Sequence, residues 1–164
     1  MREVFHMALR VLGYSGNSTD PQQIEQAYQK LVELMPSVRT FNSDAPRMPF
    51  LEGEADVGMI WNGEAVMGKE SLDSLAYVYP KEGVIVWMDS FVIPKNPEAA
   101  HKFISFVFRP EIAALISEDI GYATTVLPSY PIPNNMVNAE FQSDIGDDAM
   151  QVYAKYREKL KSGL

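Results

Sequence analysis

The sequence predicts an α/β fold. Stretches with apolar residues at helical spacing alternate along the chain with short runs of apolar, β-branched residues that read as buried strands. Its 164 residues, 46% of them hydrophobic, suffice for the packed core of one good-sized domain or for part of a larger two-domain protein. No internal repeat or low-complexity tract interrupts the pattern.

Residues 3–11 carry Val4, Phe5, Ala8 and Leu9, with Leu12 just beyond, as a helical stripe closed by Gly13. The loop GYSGNSTD follows. Asp20 before Pro21 reads as an N-cap with a first-turn proline, and Ile24, Ala27, Tyr28, Leu31, Val32 and Leu34 repeat at helical spacing until Pro36. VRTFN (38–42) is a candidate strand, and ADVGMIWNG (55–63) reads as a buried strand opening onto a turn. A short helix from Glu64, a strand LAYVY (75–79) and the turn PKEG lead into GVIVWMDSFVIP (83–94), a strongly apolar run. Residues 97–108 read as a helix, and Pro110 starts another that runs to Gly121. VLPSYPIPNN is a proline-rich loop. The last helix, 147–160, has Asp147 and Asp148 at its start and Lys159 and Lys161 at its end, which matches the macrodipole.

With 14 Lys and Arg against 22 Asp and Glu, the net charge of −8 opposes binding to nucleic acid or anionic membrane and favours cations. Zero cysteines exclude a thiol nucleophile, a Cys-ligated zinc and a disulfide framework. No stretch reaches the roughly 18 apolar residues of a membrane span. The N-terminus is not a basic stretch followed by an apolar one, so no signal peptide is read here. Met1 leads almost directly into a helix and reads as a start that cuts into a longer chain.

Catalytic constellations are absent from the pattern. His6 and His101 lie on separate helices with no acid at metal-ligand spacing, and read as surface or half-buried helix residues. GYSGN lacks the glycine spacing of a nucleophile elbow and reads as a helix stop and turn. No phosphate loop or dinucleotide fingerprint is present, and Glu118 and Asp119 sit on a solvated helix end. What remains is a combination of rings and carboxylates at element ends. Trp61 ends one apolar run, Trp87 and Asp89 interrupt the next, and Tyr122 follows Gly121. An unpaired Asp89 in an apolar run is costly to desolvate. In open α/β sheets ligands bind at the carboxyl ends of strands, so these are candidate cleft residues. Ring faces attract an organic cation and cover methylenes, and a carboxylate makes a charge-assisted bond to ammonium, a combination suited to a diamine or polyamine. The alternative is that both tryptophans are core aromatics and Asp89 a turn-capping acid.

The segments REVFHMALRVLGYSGNSTDP, FNSDAPRMPFLEGEADVGMIWNGEA, VYPKEGVIVWMDSFVIP and ISEDIGYATT closely resemble, in the same order, the spermidine/putrescine-binding proteins of bacterial ABC transporters. The resemblance covers nearly all of this chain but only the second half of such a protein. It implies a periplasmic, non-enzymatic receptor of the type II binding-protein fold, which closes two lobes over a polyamine and hands it to a membrane permease, with no cofactor and no metal. Residues 1–88 and 124–164 would hold most of the C-terminal lobe and 89–123 would belong to the N-terminal lobe, the rest of which is absent. The match makes Trp61 and Trp87 aromatic walls and Asp89 a partner for an amine. It adds Glu3 in REVF as a second acid, Tyr122 as another ring and Gln142 in EFQSDIG as a polar contact. The apolar surface of residues 94–123 would then be left uncovered, which predicts a swapped dimer or aggregation. Two other readings are a receptor fragment for another small cationic ligand and a structural or interaction module that binds nothing. Asp89 and Glu3, without a matching Arg or Lys cluster, argue against an anion.

Overall fold

A computed structural model of the chain describes residues 2–93, 95, 98–126 and 136–163. In chain order its elements are α1 (Arg2–Val11), α2 (Pro21–Leu34), a 3-10 turn (Met35–Ser37), α3 (Met48–Leu51), α4 (Asn62–Ser71), β1 (Ile85–Val86), α5 (Glu98–Val107), α6 (Pro110–Ile120), β2 (Glu140–Phe141) and α7 (Gly146–Ser162). They fall into two compact units. One takes the described residues of Met1–Val38, Tyr79–Met88 and Asn135–Leu164, the other those of Arg39–Val78 and Asp89–Asn134. The proline-rich stretch after Val126, and the start of the expected helix at Pro97, lie outside the described residues.

The first unit is built on three helices. The Asp20 side chain accepts from the Gln22 N–H at 2.8 Å, so α2 begins where its cap and first-turn Pro21 dictate. The apolar stripes of α1 (Phe5, Ala8, Leu9) and α2 (Ile24, Ala27, Leu31) meet Tyr153, Tyr156 and Leu160 of α7 in one buried cluster. Removing a side chain of this size from water contributes about 1.5–3 kcal/mol. Phe5 and Tyr153 meet edge to face at 5.4 Å, and Tyr28 stacks on Tyr156 at 4.8 Å. The Tyr153 hydroxyl donates to the Ser18 carbonyl at 2.7 Å, and burial pushes its phenol up to about 12.

Beside the helices β1 and β2 pair in parallel, Ile85 opposite Glu140 and Val86 opposite Phe141. The Glu140 and Gln142 N–H groups donate to the carbonyls of Val84 and Val86 at 2.9 and 2.7 Å. Among the described residues of the long run 83–94, only these two residues of β1 enter a ladder.

The second unit is helical among its described residues. α6 ends where Gly121 takes φ +69°, a left-handed conformation that costs glycine no Cβ clash. A Cβ on Gly121 would also lie 3.0 Å from Val66 of α4, so this glycine lets the two helices approach. Arg47 binds Glu64 at 2.9 Å and ties the segment before α3 to the first turn of α4. Phe91 packs edge to face with Phe103 and Phe108 at 5.9 and 6.1 Å.

Three expected strands do not form. Residues 38–42, 55–63 and 75–79 enter no ladder, and α4 begins at Asn62, within the second of them. A strand exists through hydrogen bonds to a neighbour. No such neighbour pairs with these runs among the described residues, and Val57 and Val78 stay 90% and 77% exposed.

Candidate ligand-binding site

The site residues expected from the sequence divide between the two units. In the first unit the parallel pairing puts the carboxyl ends of β1 and β2 on one side, and the next residue of each strand is Trp87 and Gln142. The Gln142 N–H bond to Val86 fixes this neighbourhood. Glu3 stands half-buried in the first turn of α1. Its neighbour Arg2 donates to the Ser143 carbonyl at 2.7 Å, so the start of α1 is tied to the residue after Gln142. Trp87 and Gln142 thus follow paired strands, and Glu3 adjoins the Arg2 that is tied to the residue after Gln142.

Glu140, one position before the end of β2, holds that end together. Its carboxylate accepts from the Ser15 hydroxyl, from the Gly16 N–H at 2.9 Å, from Asn17 Nδ2 at 2.9 Å and from Arg10 Nη1 at 3.3 Å. Burial alone would raise this carboxyl. The Ser15, Gly16 and Asn17 bonds and the nearby His6 outweigh it, and Glu140 lies below its ordinary range. The GYSGN turn is thus a cradle for a carboxylate that belongs to the protein. Sequence reasoning missed Glu140, Asn17 and Arg10, because their partners lie far along the chain and no local pattern marks them.

His6 differs from expectation. It is 2% exposed, its ring lies against Gly16, and neither nitrogen has a hydrogen-bond partner among the described residues. Its position on α1 turns it into the core beside Phe5 and Leu9. His101 is exposed on α5. The described residues hold no group of three or more His, Cys, Asp or Glu that could bind a metal ion.

In the second unit Trp61 is the N-cap of α4, with extended backbone at φ −70° and ψ 146°, and is half-buried. Tyr122 follows the left-handed Gly121 and lies over the first turn of α4. A Cβ on Gly63 would come within 2.0 Å of its ring. Burial is the main cause that pushes the Tyr122 phenol up, and the carboxylates of Glu64 and Asp89 add to it. Asp89 itself is exposed. Trp61, Tyr122 and Asp89 are thus brought into one neighbourhood, together with Glu64. Glu64 was expected only as a helix start, although its place three residues after Trp61 was a usable signal.

Each unit thus combines at least one indole with a carboxylate. That chemistry suits an amine: ring faces cover methylenes and attract the cation, and carboxylates accept from ammonium.

The family model for bacterial extracellular solute-binding proteins matches residues 1–145. The spermidine/putrescine-binding periplasmic protein of Salmonella typhimurium is 47% identical over 179 aligned residues, covering 99% of this chain and 51% of that protein. Spermidine/putrescine-binding periplasmic protein 1 of Haemophilus influenzae is 39% identical, covering 98% of this chain and 49% of that one. Among solved structures, a putative spermidine/putrescine ABC transporter protein from Listeria monocytogenes superposes with a TM-score of 0.88 at 30% identity, covering 99% of this chain and 56% of that one. The chain thus spans about half the length of the curated relatives it matches. Those relatives are periplasmic binding proteins, not enzymes. No helix among the described residues is long and apolar enough to cross a membrane. The fold class expected from the sequence is that of the solute-binding proteins. Matched by the family model over most of its length, the chain belongs to the bacterial extracellular solute-binding proteins.

Proposed function

We propose that the chain is the C-terminal half of a periplasmic polyamine receptor that serves an ABC transporter permease. The ligand contacts are Glu3, Trp87 and Gln142 in one unit and Trp61, Asp89 and Tyr122 in the other. Asp89 and Glu3 accept from the terminal ammonium groups, the three rings cover the methylenes, and Gln142 supplies a polar contact. In this reading the lobes are those expected from the sequence, 1–88 with 124–164 against 89–123, a division that differs from the two compact units, in which 39–78 group with 89–134. Closure of two lobes around a hinge then sequesters the ligand. The observation that carries this reading is the recurrence, in both units, of an indole with a carboxylate at the ends of structural elements. The spermidine/putrescine binding of the Salmonella and Haemophilus relatives supports the choice of polyamine.

The test is a chimera in which this chain replaces the matching half of the Salmonella typhimurium protein. Calorimetric titration with spermidine and putrescine is expected to show saturable binding, and Asp89→Asn to weaken it about tenfold or more through loss of a charge-assisted bond. A folded chimera that binds neither amine sinks the reading. Tight binding that is indifferent to Asp89→Asn and to Trp87→Ala moves the site elsewhere.

A further inference from the structure

The outer edge of β2 carries a feature that the ligand contacts alone do not explain. β2 pairs with β1 along one edge and has no strand on the other among the described residues. Around Gln142 that other edge is occupied by one side chain, Asn17. Its Nδ2 donates to the Phe141 carbonyl at 2.7 Å, and its Oδ1 accepts from the Ser143 N–H at 3.0 Å. A carbonyl at one residue and an N–H two residues on are the groups that a neighbouring strand would engage around the residue between them. The Asn17 amide has the same donor and acceptor pair as a peptide group, so it stands in for that strand. Both peptide groups that flank Gln142 are held by Asn17, while the Gln142 N–H is held by Val86 at 2.7 Å. Gln142 is therefore fixed from both edges.

The same amide reaches further. Nδ2 also donates to Glu140 Oε1 at 2.9 Å, and Oδ1 also accepts from Arg2 Nη2 at 2.9 Å, which in turn binds the Ser143 carbonyl. Arg2 directly precedes Glu3 in the first turn of α1. One side chain thus couples the start of α1 to the end of β2.

We propose that Asn17 is a positioning residue for ligand binding: it takes the place of a neighbouring strand beside β2, fixes Gln142, and holds Glu3 in register with it. The proposal rests on the polyamine reading of Gln142 and Glu3. It assigns Asn17 no contact with the ligand. Asp at this position would keep the acceptor for Ser143, lose the donor to Phe141 and place a second carboxylate beside Glu140. Ala would lose both bonds.

Two measurements test it together. In this chain, amide hydrogen exchange at Ser143 is expected to rise in Asn17→Ala, while exchange in the α2 core stays as in the unsubstituted chain. Unchanged exchange at Ser143 overturns the proposal, and a uniform rise across α1, α2 and α7 reduces Asn17 to general stability and also overturns it. In the chimera, Asn17→Ala is expected to weaken spermidine binding about tenfold, Gln142→Ala by a similar factor, and the double variant by little more than either. Multiplying losses overturn the positioning role. If exchange at Ser143 rises but Gln142→Ala binds like the parent, the site reading has failed and the proposal fails with it, a result distinct from unchanged exchange.

Discussion

His6 places an imidazole inside the core of the first unit, over Gly16 and beside Phe5 and Leu9. Burial disfavours its charged form, Glu140 and Glu3 pull the other way, Arg10 and Arg2 oppose them, and the folded pKa ends below the ordinary value. The unfolded chain therefore takes up this proton first. The stability tied to neutral His6 is complete above about pH 6.5 and is lost as pH falls through that value toward the lower folded pKa. Urea midpoints are expected to drop between about pH 7.5 and about pH 5.5, and to drop less in His6→Gln. Glu140 acts in the same direction but at lower pH, since its folded carboxyl lies below its ordinary range and its contribution disappears only as that carboxyl is protonated. Gly16 is the counterpart of His6: a Cβ there would lie 2.0 Å from His6 Nδ1. Gly16→Ala is expected to cost about 1–3 kcal/mol, as overpacking does. The cost should shrink in a His6→Ala background, which a double-mutant cycle in urea measures.

Helices were legible because their signals are local. Asp20 and Pro21 set the start of α2, Gly121 the end of α6, and the stripe of Phe5, Ala8 and Leu9 the buried face of α1. Asp20→Ala is accordingly expected to lower the unfolding free energy by about 1 kcal/mol, read as a shift in urea midpoint at unchanged slope. Strands were not legible in the same way. The runs around Met59 and Val78 have the residues of strands, but strand formation is decided by a neighbour that no window of sequence contains. β2 makes the same point in reverse: Glu140 and Phe141 carry little strand signal, and they pair because Val84 and Val86 lie beside them. The candidate site divided likewise. Trp61, Trp87, Asp89 and Tyr122 stood out as rings and acids at element ends, whereas Asn17, Arg10 and Glu140 act through partners distant in sequence. GYSGN was visible as a turn, but the carboxylate that it encloses was not.

At the scale of the molecule, the second unit leaves apolar side chains in water. α5 has no buried residue among those described, and Phe91, Phe103 and Leu115 are 52%, 57% and 63% exposed. Such a surface favours association. In sedimentation velocity at micromolar concentration the chain is expected to run heavier than a monomer, with Phe103→Ser and Leu115→Ser returning it toward one; a stable monomer would count against this. The pairing of β1 with β2 carries a consequence of another kind. All of residues 89–134 are strung between the two strands, and the core of Phe5, Ile24 and Leu31 closes only when α7 packs on it. On a translating ribosome α1 and α2 leave well before α7, as a helical hairpin with one apolar side uncovered, and they wait for the segment between before that partner arrives. Exposure to proteases, chaperones and wrong partners therefore falls on these two helices, and its length is set by how fast the segment up to α7 is synthesised.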